Sequence, residues 1–530
     1  MIPPASPNTK TASAPSSGLL LTLIFAAIFL LHASLLHLPY FWDEAGYYIP
    51  AARDLLLKGS LIPLSAPSNA HPPLVMAYLA LWWKVMGYTP AVTRSVMLLA
   101  AAFALLGVFR LARRAANLEV AIAATFCTAA YPVFFAQSTM AHVDLAAAGL
   151  TFWGLDSYLG GRLRTAALWF SLSVLAKETA LLTPLALLTW EVVCPWVGRF
   201  FKQPLCLRDL RWPVVASLLT PVGILGLWYA YHYSRTGYVF GNPEFFRYNV
   251  QSTMSPLRIM LALLMRIWQV FGYLHLWVLT LLMGWAMTRP AIRDDDAERP
   301  RIDLAVQFMF GVVVLTYVVA MSVVGGAVLA RYMLTAVPLV VILAVSTLRR
   351  RIRVWRWLVG IVCAAFVAAL FMNPPYGFSP EDNLAYRDYI VMHEDAARFL
   401  ARHPTARVLT AWPASDEVSR TYLGYVTRPM QVVRIEDFSA EEIMGAAEER
   451  SRFDVVLAFS TKYEPPHPVL ESPHWWERLK ARFFGYHRDL PPAFIAQVLS
   501  GNVVFSEEHQ GQWVAVIELE RVEDASVRRP

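Results

Sequence analysis

The chain has 530 residues, of which 57% are hydrophobic and only 16% charged, with a mean hydropathy of +0.43. That balance excludes an ordinary soluble globular protein and points to a polytopic, α-helical membrane protein. The formal charge of +7 is split unevenly: from Asn373 onward there are 24 acidic against 17 basic residues, and before it 29 basic against 15 acidic. A basic, apolar part followed by a mildly acidic part of ordinary composition predicts a membrane domain, residues 18–372, and a soluble α/β domain, residues 373–530. The basic excess requires no nucleic-acid partner, because Lys and Arg collect on cytoplasmic loops.

In chain order, residues 1–17 are polar and are expected to form a disordered cytoplasmic N-terminus. Gly18–Leu38 then supplies about twenty apolar residues, long for the apolar core of a signal peptide and followed by no A-x-A-type cleavage site, so an uncleaved first span is expected. The exit from that span reads LPYFWDEAGYYIPAARDLL, with Asp43 and Glu44 flanked by Phe41, Trp42, Tyr47 and Tyr48. A polar exit from the membrane explains the two acids. So does a catalytic role, since partial burial among aromatic rings raises a carboxyl pKa toward that of a working base.

The next segment, Pro72–Tyr88, is short and Trp-rich, carries Lys84, and follows His71 in NAHPPLVMAYL. The two prolines fix the start of a helix, and a local hydrogen-bonding role is the commoner one for such a histidine. Eleven other segments approach the length that crosses about 30 Å of hydrocarbon: 18–38, 92–109, 118–136, 141–159, 165–181, 182–197, 213–233, 266–287, 304–324, 330–348 and 354–372. With Pro72–Tyr88 left out of the count, the basic clusters all fall on one side. They are Arg110/Arg113/Arg114, Arg162/Arg164, Arg199/Lys202/Arg208/Arg211, Arg289/Arg293/Arg299/Arg301 and Arg349/Arg350/Arg351/Arg353/Arg356. The positive-inside tendency therefore predicts eleven spans, a cytoplasmic N-terminus and an external C-terminal domain. Pro72–Tyr88 becomes an interfacial helix with its Trp residues at the headgroups.

This topology gathers Asp43, Glu44, His71, Asp144, Lys177, Glu178, Arg331 and Tyr332 at the external face. Charges at span ends are costly and are retained for a reason. Each has a plain alternative: Asp144 favoured by a helix dipole, Lys177 and Glu178 as a mutual ion pair, Arg331 snorkelling. Adjacent residues on a helix diverge by about 100°, so Glu178 is not expected to neutralise Lys177. Lys177 and Arg331 are thus expected to face an external cavity without a carboxylate partner. Together the acids, the histidine and the two cations suit an enzyme acting on a charged lipid headgroup.

Of the four cysteines (Cys127, Cys194, Cys206 and Cys363) three lie in apolar runs, none lies beyond Asn373, and none forms a CxxC pair; they suggest no function. After Asn373, LAYRDYIVMHEDAARFLARHP has helical periodicity, ARVLTAW, FDVVLAFS and GQWVAVIEL are strand-like, and Ser439 stands three residues before Glu442 as a helix cap. A small sheet covered by helices is expected. There is no GxGxxG, P-loop, GxSxG or internal repeat.

The ordered set DEAGYY after span one, HPPL before the interfacial helix, AHVD after span three, AKET after span five and ARYMLTAVP at span ten resembles the GT-C membrane glycosyltransferases. The likeness is to the protein O-mannosyltransferases and the lipid A aminoarabinose transferases in particular. It covers about the first 350 residues; HPPL matches the mannosyltransferase form, whereas the aminoarabinose enzymes carry a Lys-Pro-Pro variant. The C-terminal domain has no equally clear match. The resemblance implies an integral protein of the inner or plasma membrane. It would use a polyprenyl-phosphate-sugar donor outside the cytoplasm and transfer a hexosyl or pentosyl group, with inversion, to an acceptor in the cell envelope (lipid, glycan or protein). It implies Asp43 as general base and Glu44 as its helper or as an orienter of the acceptor. Lys177 and Arg331 would stabilise the leaving phosphate, with Tyr332 donating a hydrogen bond. Some relatives bind a divalent metal ion, for which His71, Asp144 and Glu178 are conceivable ligands, but no spacing here is diagnostic of a metal and none is assigned. The competing classes are a transporter of a lipid-linked or anionic substrate, which commonly shows repeated halves, and a non-catalytic scaffold.

Overall fold

The computed structural model describes residues 16–206, 211–243, 246–247, 251–294, 297–466 and 474–520. Most of the expected disordered N-terminus lies outside the described residues, as does Arg208 of the third basic cluster. Every one of the eleven apolar segments contains helix. Five helices are long and apolar enough to cross a membrane: Pro90–Ala115, Glu178–Phe201, Trp212–Thr236, Pro256–Met287 and Leu304–Val323. The others, such as Ser17–Leu31 and Trp355–Phe371, are shorter. The chain is an integral membrane protein.

The helix Pro90–Ala115 is started by Thr89, whose side chain accepts from Val92 N, and by Pro90 in the first turn, where a missing N–H costs nothing. The helix Val143–Leu159 packs against it closely enough that a Cβ at Gly149 would stand 2.7 Å from Ala104 Cβ. Small residues permit this approach where no water is displaced to drive helices together. Near the far end of Val143–Leu159, Asp156 accepts from Arg114 (2.6 Å) and Arg162 (2.7 Å) and pairs with Arg110 (3.3 Å). Two of the basic clusters are thereby tied to one buried acid, and the opposite end of the helix carries Asp144.

Two interruptions matter for the site. Lys177 leaves the helix Leu163–Ala176 in extended conformation before the short turn Glu178–Leu181. Arg331 lies in another short 3-10 turn, Ala330–Met333, ahead of the helix Ala336–Arg351. Both breaks turn a charged side chain out of a helical row and toward one end of the bundle.

The helix Leu74–Met86 occupies the predicted interfacial segment, but Trp83 is only 2% exposed and its Nε1 donates to Thr93 Oγ1 at 2.9 Å. The expectation that its Trp residues meet lipid headgroups fails for Trp83, because a buried hydroxyl satisfies the indole inside the protein. A disulfide joins Cys194 and Cys206, a pairing that the spacing of the cysteines did not suggest.

After the last apolar helix, a five-stranded mixed sheet runs in the order Gln431–Ile435, Arg407–Ala411, Val455–Phe459, Gln512–Leu519, Gly501–His509. The first three are parallel, with Val408 opposite both Val432 and Val455. The last two join as antiparallel strands, with Val456 opposite Ile517. Three of the strands fall on the predicted β-rich runs, whereas Gln431–Ile435 and Gly501–His509 were not predicted; Ser439 accepts from Glu442 N to start the helix Ala440–Glu448. The helix Ala385–Leu400 buries Tyr386, Tyr389, Ile390, Ala397 and Leu400, an apolar stripe at helical spacing. These residues share one hydrophobic core with Tyr40, Phe41, Ala45 and Tyr48 from the exit of the first helix. The sheet is therefore docked directly on the segment that carries Asp43.

Candidate active site

The segment after the first helix is held in an unusual conformation. Trp42 has a φ of +45°, in the left-handed region, and Asp43 then opens a π-helical turn, Glu44–Tyr48, that runs into the helix Ile49–Lys58. Both features are unfavourable alone and persist where surroundings over-determine them. Here Glu44 does so. It is fully buried; Oε2 accepts from Phe41 N (2.9 Å) and Oε1 from Ala141 N (2.6 Å). Arg94 pairs with it at 3.4 Å and also donates to the carbonyls of Leu38, Pro39 and Thr139. Glu44 and Arg94 lock the turn, leaving Asp43, 21% exposed, as its accessible carboxylate.

Asp43 accepts from Arg331 Nη2. The same guanidinium donates through Nη1 to Glu381 and lies 3.4 Å, through Nε, from Asp144 Oδ2. Asp144 also accepts from Lys177 Nζ at 2.5 Å. The Lys177 ammonium sits 4.0 Å from the centre of the Tyr332 ring, with Arg266 at 5.3 Å and Arg331 at 5.8 Å from the same ring, so Tyr332 presents its electron-rich face to three cations. Arg266 donates to the Met321 and Leu329 carbonyls and Arg258 to those of Ser322, Gly325 and Gly326, which fixes the loop leading to Arg331. His71 Nδ1 and Glu178 Oε2 pair at 2.9 Å. The Tyr48 ring stands between His71 and His142, at 5.9 and 5.8 Å.

Of the eight residues singled out in the sequence, Asp43, Asp144, Lys177, Arg331 and Tyr332 form one connected cluster. His71 and Glu178 form an adjoining pair, and Glu44 is turned into backbone contacts beside it. The expectation that Lys177 and Arg331 lack carboxylate partners is corrected: both are paired, through residues remote in sequence. Glu178 pairs with His71 and not with Lys177, though for another reason than the one expected: Lys177 is extended and Glu178 lies in a separate turn, so the two do not share a helix. Glu381 was missed, because SPED just after the last apolar helix looks like an ordinary acidic helix start. Arg94 was missed too, although a lone arginine in TRSVMLLAAAFALL carries a signal.

Glu381 follows the last apolar helix, and burial pushes its carboxyl up to about 8, with Arg331 opposing the shift; Asp382, hydrogen-bonded by Tyr273 OH at 2.6 Å, is pushed by burial to about 7. As to a divalent ion, His71 and Glu178 are committed to each other and Asp144 to two cations. Among the described residues no three His, Cys, Asp or Glu side chains converge as a ligand set. No step is routed through a metal.

No protein-family model and no curated protein matches the sequence. Among solved structures, ArnT from Cupriavidus metallidurans bound to undecaprenyl phosphate is similar with a TM-score of 0.52 and 15% identity, covering 94% of this chain and 98% of that one. The same protein in the apo state gives 0.50 and 16% over the same shares. The oligosaccharyltransferase of Archaeoglobus fulgidus, in complex with Zn and sulfate, gives 0.44 and 11%, covering 84% and 68%. The fold is that of the GT-C membrane glycosyltransferases. At 94% coverage the likeness extends past residue 373, where the motifs gave no clear match.

Proposed function

We propose that this protein is a membrane glycosyltransferase that moves a hexosyl or pentosyl group from a polyprenyl-phosphate donor to a hydroxyl acceptor outside the cytoplasm, with inversion. The observation that carries the reading is the contact between Asp43, an accessible carboxylate on a locked π turn, and Arg331, one of two buried cations joined by Asp144. ArnT, whose fold this chain shares, binds undecaprenyl phosphate, which supports a lipid phosphate as the natural anion for Lys177 and Arg331.

In this reading the donor phosphate draws Arg331 away from Asp43. The freed carboxylate takes the acceptor hydroxyl proton as the oxygen attacks the anomeric carbon from the face opposite the phosphate. The carbon–oxygen bond to phosphate breaks and its electron pair stays on the leaving phosphate, where Lys177 and Arg331 hold the developing charge. One displacement needs one base, unlike the nucleophile-and-acid pair of a retaining glycosidase. Glu44 and Arg94 act by fixing the turn, and Tyr332 by seating Lys177 against its ring. His71 and Glu178 border the same space as a substrate-binding pair.

The topology proposed with this function has eleven spans within residues 18–372, the N-terminus in the cytoplasm, and residues 373–530 as an extracytoplasmic α/β domain. The test is saturable binding of undecaprenyl phosphate to the purified chain, followed by sugar transfer from the corresponding lipid-linked donor. No binding by the wild type at any concentration below micellar saturation would overturn the reading.

A further inference from the structure

Resting on that reading, we infer that the acceptor is a carbohydrate, and that Trp412, from the sheet, forms with Trp42 and Tyr47 the platform on which its pyranose ring lies beside Asp43.

The three rings are half-buried and brought together from two parts of the chain. Trp412 meets Trp42 edge-on, with centroids 5.4 Å apart at 76°, and lies 6.0 Å from Tyr47 at 52°. Tyr389 backs Trp42 at 5.8 Å. Trp412 also lies against the backbone of the π turn: a Cβ at Gly46 would stand 2.8 Å from its Cζ2. Gly46 thus admits the indole to the turn that begins at Asp43, and any larger residue there would push Trp412 away.

The position of Trp412 in the sheet gives the second argument. It follows the carboxyl end of Arg407–Ala411, whose parallel neighbours are Gln431–Ile435 on one side and Val455–Phe459 on the other. The chain passes from this strand to Gln431–Ile435 on one side, and the next connection crosses back over to Val455–Phe459 on the other. The crevice beyond such a switch point is where open α/β sheets bind small molecules. In this protein the π turn that begins at Asp43 meets that edge.

The chemistry of the surroundings selects the ligand. Ring faces with negative quadrupoles attract the weakly positive C–H face of a pyranose, and Asp43 and Asp416 offer acceptors for its hydroxyls. The cations beside the platform are Arg420, which pairs with Asp416 at 3.2 Å, Arg53, which lies over the Tyr422 ring at 4.6 Å, and the exposed Arg434 near Asp416, so neutral and anionic probes are compared directly.

The experiment is saturation-transfer NMR on the detergent-solubilised full chain, with methyl glycosides of glucose, galactose, mannose and N-acetylglucosamine as neutral probes and glucosamine 1-phosphate as the anionic one. Undecaprenyl phosphate binding is measured on the same samples. At least one neutral glycoside is expected to show transfer, concentrated on the C–H protons of one ring face. Trp412→Ala should lower it about tenfold, the scale of a lost aromatic contact, and Trp412→Phe should restore part of it. Undecaprenyl phosphate should bind all three proteins alike. Signals from neutral glycosides that equal those of empty micelles, that survive Trp412→Ala, or that are exceeded by glucosamine 1-phosphate would each overturn the platform. Loss of undecaprenyl phosphate binding in the wild type would instead overturn the glycosyltransferase reading beneath it.

Discussion

Arg331 and Asp43, 288 positions apart in sequence, are joined by a hydrogen bond from Nη2 to the carboxylate, and the other terminal nitrogen of the same guanidinium is held by Glu381. The residue proposed to hold the leaving phosphate is thus bonded to the residue proposed to take the acceptor proton. A carboxylate oxygen held by a guanidinium N–H is occupied and cannot at the same time receive a proton from an acceptor hydroxyl. In the proposed reaction phosphate and Asp43 compete for one cation, which would make donor binding and release of the base a single event.

That coupling sets what Asp43→Asn should do. Turnover should fall at least about a hundredfold, the usual scale for a lost general base. Affinity for undecaprenyl phosphate should be unchanged or higher, because the phosphate loses a competitor for Arg331. Single-turnover transfer and lipid binding, measured on the same preparation, check both halves. Near-normal turnover would reassign Asp43 to structure.

Replacing the cations should act on binding. Lys177→Met should weaken undecaprenyl phosphate binding by about ten- to a hundredfold, from the roughly 1.5–3 kcal/mol of a charge-assisted hydrogen bond. Arg331→Met should do the same and should also lower the melting temperature, since it strands Asp43, Asp144 and Glu381 around an uncharged side chain. Arg331→Lys should recover only part of the affinity, because an ammonium cannot reproduce the fork that reaches Asp43 and Glu381 at once. If both Met variants bind the lipid like the wild type, the phosphate site lies elsewhere.

The residues that the sequence exposed are those whose chemistry clashes with their local setting. Asp43, Asp144, Lys177 and Arg331 stand out because charge is costly beside long apolar runs, and the helices followed those runs. Their partners were not legible. Glu381 sits in a polar segment where an acid attracts no notice, and only the folding of that segment back onto Arg331 makes it unusual. Glu44 resembled a second catalytic acid because it adjoins Asp43. The π turn separates them, sending one carboxylate to backbone amides and leaving the other partly accessible. Trp83 misled for a related reason: an indole suits a membrane interface and a buried hydroxyl equally, and Thr93 is ten residues away on the next helix.

The topology proposed from charge makes a prediction of its own. A reporter fused after the last residue should be external, and one inserted after Asp294, between the helices Leu276–Met287 and Leu304–Val323, should be cytoplasmic. The second site is flanked by Arg289, Arg293, Arg299 and Arg301, so it tests the largest assumption in the count of eleven. Both reporters on the same side would require an odd number of crossings to be added or removed between them.

The final prediction concerns Glu381. Its carboxyl is raised from the ordinary value near 4.5 to about 8, first by burial and then by Asp382, Asp43 and Asp144, with Arg331 opposing. The folded protein therefore binds this proton more tightly than the unfolded chain does. Its contribution to stability is fully present below about pH 4.5 and is lost as pH rises through about 8. Melting temperature should decline over that window in the wild type, and Glu381→Gln, which is neutral at every pH, should flatten the part of the decline that Glu381 causes. The same proton bears on the lipid. Ionised Glu381 is one of three carboxylates that face the Arg331 guanidinium, with Asp43 and Asp144; its protonation removes one competitor of an incoming anion for that cation. Undecaprenyl phosphate affinity should accordingly fall by roughly tenfold per pH unit above about 8 in the wild type and much less steeply in Glu381→Gln. Binding titrations of both proteins between pH 6.5 and 9.5, read beside their melting curves, separate the two effects; parallel binding profiles would show that this carboxyl does not control access of the phosphate to Arg331.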